Sequence, residues 1–210
     1  MTYCVRPMVK EDLSQVSAID REVFPTQWPP PNYRQELHNR LAHYIVVYDT
    51  AKTFDDPVVS SKKNRNHFLS CLLPWLRRDH EENENSIVFS RQYVIGFSGI
   101  WLMAGEAHIT NIAVREQYQR QGVGELLLVS TVDLSREQRA ETMTLEVRES
   151  NTIAQNLYSK YGFKQTGVRR GYYLDNRENA IIMSTESINS EAFLAQLQRL
   201  RESLAKKLPV

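Results

Sequence analysis

Cysteine is nearly absent from this 210-residue chain, and its placement excludes two kinds of architecture. Cys4 and Cys71 lie far apart, with no Cys-x-x-Cys or histidine-rich companion. They make neither a disulfide framework nor a zinc site, and they read as buried reduced thiols. The five histidines, His38, His43, His67, His80 and His108, are equally scattered, so no metal is expected. No apolar run approaches the length of a membrane span, and the opening Met-Thr-Tyr-Cys-Val-Arg lacks the pattern of a signal peptide. A cytoplasmic protein without membrane contact is therefore expected. An excess of one charge is missing too: 26 basic residues balance 25 acidic ones, which leaves no electrostatic case for nucleic-acid binding. The length suits one domain with a substantial core, and no internal repeat is evident.

What the chain does have is a loop, Gln119-Arg-Gln-Gly-Val-Gly124, between a strand-like run (His108 to Val114) and a helix-like run (Glu125 to Arg136). Two glycines let the backbone curl so that successive N–H groups point at one spot, and the helix beginning there adds its positive dipole end. Such a cradle suits a pyrophosphate. Its spacing is neither that of a Walker loop nor that of a dinucleotide Gly-x-Gly-x-x-Gly turn. It resembles the Gln/Arg-x-x-Gly-x-Gly/Ala loop of the GNAT superfamily of N-acetyltransferases, which bind acetyl-CoA by its pyrophosphate.

Elsewhere, helices interleave with about seven strands. Tyr3 to Pro7 reads as a strand, and Leu13, Val16, Ile19 and Val23 form a helical stripe behind Asp12 as N-cap. The prolines of Phe24-Pro-Thr-Gln-Trp-Pro-Pro-Pro31 enforce a loop. A second helix is expected over Asn32 to Leu41 and strands over His43 to Tyr48, Tyr93 to Met103 and His108 to Val114, the last two joined by a turn at Ala104-Gly105. Residues 50 to 90 change composition and read as an insertion with an apolar middle, His67 to Leu76. Thr142 to Arg148 alternates, with Met143, Leu145 and Val147 on one face and Thr144, Glu146 and Arg148 on the other. Ser150-Asn151 supplies the N-cap of a helix striped with Ile153, Ala154, Leu157 and Tyr158 that Gly162 ends. Strands over Phe163 to Tyr173 and Ala180 to Ser184 follow. Phe193, Leu197, Leu200, Leu204 and Leu208 then mark an amphipathic helix, expected to dock back onto its own domain.

A pyrophosphate in the loop would run the pantetheine arm back along the preceding strand, so that Ile112, Ala113 and Val114 line it through backbone groups. The thioester would lie where that strand meets the one carrying Glu146. Acetyl transfer to an amine needs a base for the amine proton and an acid for the departing thiolate. A carboxylate isolated on a mostly apolar strand suits the first role, although Glu146 equally suits a structural pairing with Arg148 or another cation. An α-amine, at pKa ~7.7 to 8.0, needs a milder base than lysine at ~10.4. Tyr158, on the helix after Glu146, suits the second role. A phenol near ~10 is a weaker acid than a thiol near ~8.5, so Tyr158 acts mainly by donating a hydrogen bond as charge develops.

Asn111-Ile-Ala-Val114, Tyr118-Gln-Arg-Gln-Gly-Val-Gly124, Leu145-Glu-Val-Arg148, Ser150-Asn151, Leu157-Tyr158, Tyr161-Gly-Phe163, Arg169-Arg-Gly-Tyr-Tyr173 and Ala180-Ile-Ile-Met183 together resemble the bacterial ribosomal-protein alanine N-acetyltransferases, the RimI type within the GNAT superfamily. The resemblance implies a mixed α/β fold with a single central sheet splayed at the cofactor site and flanked by helices. It implies Glu146 as general base and Tyr158 as general acid. Arg120, Gln121, Gly122, Val123, Gly124, Glu125 and Asn151 join Ile112, Ala113 and Val114 as implied acetyl-CoA contacts. Phe24, Pro25 and Trp28 are the implied substrate loop, and Tyr172 and Tyr173 the paired tyrosines closing over a peptide N-terminus. The implied reaction is direct attack in a ternary complex, on a protein N-terminus such as the alanine of a small-subunit ribosomal protein.

On this reading residues 1–184 form the acetyltransferase domain, with the insertion at 50–90, and residues 185–210 a C-terminal helical extension. The insertion and the extension are both longer than the family pattern. A monomer or weak dimer is expected. Two alternatives stay open: the same fold acetylating lysine or a small-molecule amine, and a non-catalytic acetyl-CoA-binding module.

Overall fold

The chain runs through β1 (Tyr3–Pro7), a 3-10 turn (Lys10–Asp12), α1 (Leu13–Val23), α2 (Tyr33–Glu36), β2 (Ala42–Thr53), β3 (Gln92–Met103) and β4 (Glu106–Val114). A second 3-10 turn (Glu116–Tyr118), α3 (Val123–Glu137), β5 (Thr142–Arg148), α4 (Thr152–Lys160), β6 (Lys164–Arg169), β7 (Ala180–Ser184) and α5 (Glu191–Ala205) complete it. This computed structural model describes residues 3–26, 31–54 and 92–208. Trp28 and the apolar middle of the insertion lie outside the described residues.

The strands form one mixed sheet in the order β1-β2-β3-β4-β5-β7-β6, antiparallel throughout except for the parallel β4–β5 pair. Alternation sorts side chains between two faces. Tyr44, Val46, Phe97 and Ala113 meet Val16, Ile19 and Tyr33 of α1 and α2 on one face. Ile45, Val47, Ile95 and Val114 meet Val123 and Leu127 of α3 on the other. That second layer continues where Met143, Leu145, Val147 and Met183 pack against α3, α4 and α5. Tyr33 also donates a 2.5 Å hydrogen bond to the buried Asp20 carboxylate, joining α2 to α1.

Two local features shape the sheet's middle. Ala104 and Gly105 both adopt left-handed φ values, 51° and 83°, the geometry of a two-residue hairpin turn that matches strand twist. Further along the hairpin, Gly99 faces Asn111 while Ile100 faces Ile109, so Thr110 is an extra residue and β4 bulges there. The Tyr44 ring lies flat over Gly99, where a Cβ would sit 2.1 Å from the nearest ring carbon.

Five expectations need correction. The second helix closes after one turn, Tyr33–Glu36, because Asn32 caps its start and the chain turns at Leu37 into β2. Asp12 does not cap α1 through its side chain; its carboxylate takes two hydrogen bonds from Arg6, at 2.7 and 2.8 Å, and one from Val9 N at 2.9 Å. The strand expected to reach Tyr173 ends at Arg169, where β7 pairing stops at Ala180. Ile153 is 70% exposed rather than part of the buried stripe of α4. β2 also runs past its expected end at Tyr48, to Thr53 opposite Gln92.

Gly99→Ala should destabilise the fold by ~1–3 kcal/mol, because Tyr44 cannot yield without disturbing its edge contact with Tyr33. Urea denaturation measures this directly. A loss below about 0.5 kcal/mol would mean that the ring moves aside freely.

Candidate active site

β4 and β5 pair only from Glu106 with Thr142 to Ile109 with Leu145. Beyond the bulge they diverge and leave a gap in the sheet. Arg115 N donates to Ile95 O at 2.9 Å. In an antiparallel ladder alternate residues turn their main-chain groups to opposite edges, so Ala113 turns toward β3 while Ile112 and Val114 turn toward the gap. Gln119 Nε2 meets the Val114 oxygen at 3.1 Å. With the Val114 oxygen so engaged, the main-chain groups of Ile112 and the Val114 N–H have no ladder partner among the described residues on this edge, and a buried strand edge cannot leave such groups unmet without cost.

At the end of that rail the chain curls into α3. Arg120 and Gly122 take φ values of 61° and 86°. The N–H groups of residues 120 to 125 find no acceptor among the described residues; the first engaged is Leu126 N, 2.9 Å from Gly122 O. Successive free donors at a helix start form an anion-binding nest. A Cβ on Gly124 would come no closer than 3.9 Å to Val114 and 4.0 Å to Leu157, so packing alone does not demand glycine there. Bare backbone between the rail and α4 fits close approach of a pyrophosphate.

Glu125 stands in the first turn of α3, where its charge would oppose an anion. Its carboxylate is instead paired with Lys160 and accepts from Tyr161 Oη at 2.8 Å. Burial pushes this carboxyl up, but the hydrogen bonds from Lys160 and Tyr161 outweigh it, and the net shift is downward. Asn151 caps α4 by accepting from Ala154 N at 3.1 Å, which orients its exposed carboxamide.

Strands β4, β5 and β6 deliver three charged or ionisable groups to one face beside the gap. Glu146 Oε2 lies 3.0 Å from His108 Nε2, and its Oε1 lies 2.9 Å from Arg169 Nη2. With 8% of its side chain exposed, the carboxylate is nearly enclosed. The hydrogen bond from His108 lowers its pKa and outweighs the rise caused by burial; the charges of His108 and Arg169 add to the lowering. Sequence reasoning had left the cation beside Glu146 open between Arg148 and another. The partners are Arg169 and His108, while Arg148 is engaged elsewhere.

Tyr158 reaches the same region from α4. Its ring packs 5.8 Å from Phe163, and burial together with Tyr173 pushes its pKa up to about 12. Tyr173 lies under the Arg148 guanidinium at 3.9 Å and perpendicular to Tyr172 at 5.3 Å. Arg148 in turn binds Asp175 at 2.9 Å and Glu178 at 3.1 Å, and Thr26 Oγ1 donates to Asp175 at 2.7 Å. The loop after α1 is therefore tied to the β6–β7 connection, and the two segments expected to hold substrate stand together. Phe24 is partly buried against the α1–α2 core, whereas Pro25 is exposed in the turn.

His108 and Arg169 were missed as site residues because their proximity to Glu146 depends on strand register. The available signal was alternation: His108 pairs with Thr144, one strand step of two residues from Glu146 on the same face. No helix among the described residues is long and apolar enough to cross a membrane.

Residues 55–163 match the acetyltransferase (GNAT) family pattern. A putative ribosomal protein bS18-alanine N-acetyltransferase of Bacillus subtilis is 33% identical over 180 residues, 85% of this chain and 92% of the relative. The crystal structure of the ribosomal-protein-S18-alanine N-acetyltransferase from Escherichia coli has a similar fold, with a TM-score of 0.64 at 23% identity over 90% of this chain and 97% of that one. A GNAT family acetyltransferase from Elizabethkingia anophelis with acetyl-CoA bound gives 0.57 at 16% identity, covering 88% of this chain and 97% of its own.

Because the folded-state pKa of Glu146 is depressed, its stabilising contribution is present above the unfolded value of ~4.3 and is lost as pH falls through the folded one. His108→Ala removes the leading cause of the depression and leaves burial to dominate. The carboxyl pKa, followed by carbon-13 NMR, should rise in that variant. An unchanged value would show that Arg169 alone holds the charge.

Proposed function

The chain belongs to the GNAT family of acetyltransferases, and on that premise we propose that it transfers the acetyl group of acetyl-CoA to the N-terminal amine of a protein. The substrate we propose is the N-terminal alanine of ribosomal protein bS18, the protein named for its Bacillus subtilis and Escherichia coli relatives. The observation that carries the acetyl-CoA part is the run of uncommitted N–H groups at residues 120 to 125, continuous with the open edge of β4.

Acetyl-CoA supplies the acetyl group as an activated thioester. Arg120, Gln121, Gly122, Val123, Gly124 and Glu125 would hold its pyrophosphate through main-chain N–H groups, and Arg120 adds a positive charge. Ile112 and Val114 would bond the pantetheine amides, with Ala113 fixing the strand between them from the β3 side. Asn151 would touch the cofactor through the carboxamide that its capping bond orients.

The amine enters between the loop carrying Phe24, Pro25 and Trp28 and the connection carrying Tyr172 and Tyr173. Attack on the thioester carbonyl leaves an extra proton on nitrogen, and Glu146 accepts it. Its depressed pKa makes Glu146 a weak base, and the contact of His108 Nε2 with Oε2 at 3.0 Å fixes the orientation of the carboxylate that takes the proton. Tyr158, with a pKa near 12, is a poor donor of a whole proton and serves by hydrogen-bonding the sulfur as negative charge develops. An α-amine at ~7.7 to 8.0 is largely deprotonated at mildly alkaline pH, which suits so weak a base.

Thiol release from acetyl-CoA should occur with a short peptide bearing a free N-terminal alanine and no lysine. It should not occur with an N-terminally blocked peptide carrying one lysine. Release with the blocked peptide alone would overturn the α-amine assignment while keeping the fold and cofactor. Glu146→Gln should lower turnover by ~10²-fold or more with acetyl-CoA affinity retained; turnover equal to wild type would remove Glu146 from the chemistry.

A further inference from the structure

The C-terminal helix α5 touches the molecule at two places that serve the same reaction. Leu204 and Leu208 close over the back of the cradle: a Cβ on Gly122 would lie 3.0 Å from Leu208 Cδ2 and 3.3 Å from Leu204 Cδ1. Phe193, one end of the same helix, closes over the end of α4, with its ring 3.3 Å from a Cβ placed on Gly162. Gln196 Nε2 donates to Lys160 O at 2.9 Å, and Arg201 grips both oxygens of Asp133 on α3, at 2.7 and 2.9 Å. Lys160 and Tyr161 complete the circuit by binding Glu125 in the first turn of α3. Lys207, just past α5, adds its charge to the same carboxylate.

The cradle needs such support for a physical reason. A row of parallel N–H dipoles without acceptors repels itself when no anion is bound, and Arg120 adds the strain of a non-glycine residue in the left-handed region. A loop in that condition relaxes unless packing over-determines its shape. The rear of Gly122 is where packing can act without entering the anion site, and the two leucines fill it. Leu204 is 3% exposed, so this contact belongs to the core rather than to a frayed end.

We propose that α5 is a clamp that pre-forms the pyrophosphate cradle and fixes its position relative to the helix bearing Tyr158, with Leu204 and Leu208 as positioning residues for acetyl-CoA. The proposal rests on the acetyl-CoA reading given above. A preorganised loop spends less of its binding free energy on ordering, so loosening it weakens affinity for the ligand that uses it. The thioester end, held by the β4 rail, is not affected.

The test compares two ligands that differ in the pyrophosphate. Leu208→Ala should weaken CoA binding, measured calorimetrically, by about tenfold. The same variant should use S-acetyl-pantetheine, which lacks the pyrophosphate, with kcat/KM equal to wild type. Leu208→Met, which keeps the volume, should restore CoA affinity. Equal CoA affinity in folded Leu208→Ala protein, or parallel losses with both acetyl donors, would overturn the clamp. Wild-type protein that binds no CoA at all would overturn the acetyl-CoA reading itself and this proposal with it.

Discussion

A sheet that comes apart in its middle is the constraint on which the rest of this structure depends. β4 and β5 share a short parallel ladder and then separate past Ile109 and Leu145, giving up main-chain hydrogen bonds worth about 1 kcal/mol net each. The separation is built in. The extra residue at Thr110 bends β4, and the bend follows the point where Tyr44 lies over Gly99. Each strand keeps its other neighbour, β3 for β4 and β7 for β5, so the cost falls only on the two facing edges. Those edges can be satisfied by a ligand with amides of its own along an extended arm. The fold therefore creates a polar slot through a layer that is otherwise apolar on the α3 side.

Charge is placed around the slot to match. At one end the N–H groups of residues 120 to 125 and the start of α3 favour an anion, and the nearest carboxylate, Glu125, is taken up by Lys160 and Tyr161. At the other, Glu146 keeps its charge because His108 and Arg169 each face one of its oxygens. A nearly enclosed carboxylate without those partners would take up a proton instead. The two acidic side chains beside the slot are thus handled alike, by specific donors that include Lys160 and Arg169, but with opposite outcomes. Glu125 is withdrawn from the ligand, while Glu146 stays adjacent to the gap.

Features set by neighbours in the chain were legible in the sequence. The Gly122–Gly124 loop, the cap at Ser150-Asn151, the alternation of β5 and the stripe of α5 as far as Leu204 depend on local geometry, and the structure has them; Leu208 falls past the helix end at Ala205. Features set by register were not. His108 reaches Glu146 only because β4 pairs with β5 at His108–Thr144, and Arg169 only because β6 joins the sheet on the far side of β7. The early end of β6 has the same origin, whereas the single turn of α2 comes from side-chain and main-chain contacts that helical spacing does not show. The segment after Arg169 is held by Arg148, Asp175 and Glu178 rather than by a ladder, and Asn39 turns the chain into β2 by accepting from Ala42 N and Leu41 N. Ile153 misled because helical spacing fixes a stripe but not its width, and the first turn of α4 projects beyond the core.

Strand β5 joins the two halves of the proposed reaction. Glu146 and Arg148 lie two residues apart on one face, so a single strand fixes both the proposed proton acceptor and the anchor of the β6–β7 connection. Arg148 holds Tyr173 by stacking and Asp175 and Glu178 by ion pairing. Asp175 holds Thr26, and Glu178 holds Ser150 N at the start of α4. A peptide seated against this network would press on the same strand that carries Glu146 and on the helix that carries Tyr158. The charge of Glu146 already contributes to the upward shift of Tyr173, and Tyr173 in turn to that of Tyr158. On the proposed reading, substrate placement and proton handling are therefore not separable by position in this fold, because one strand would take part in both.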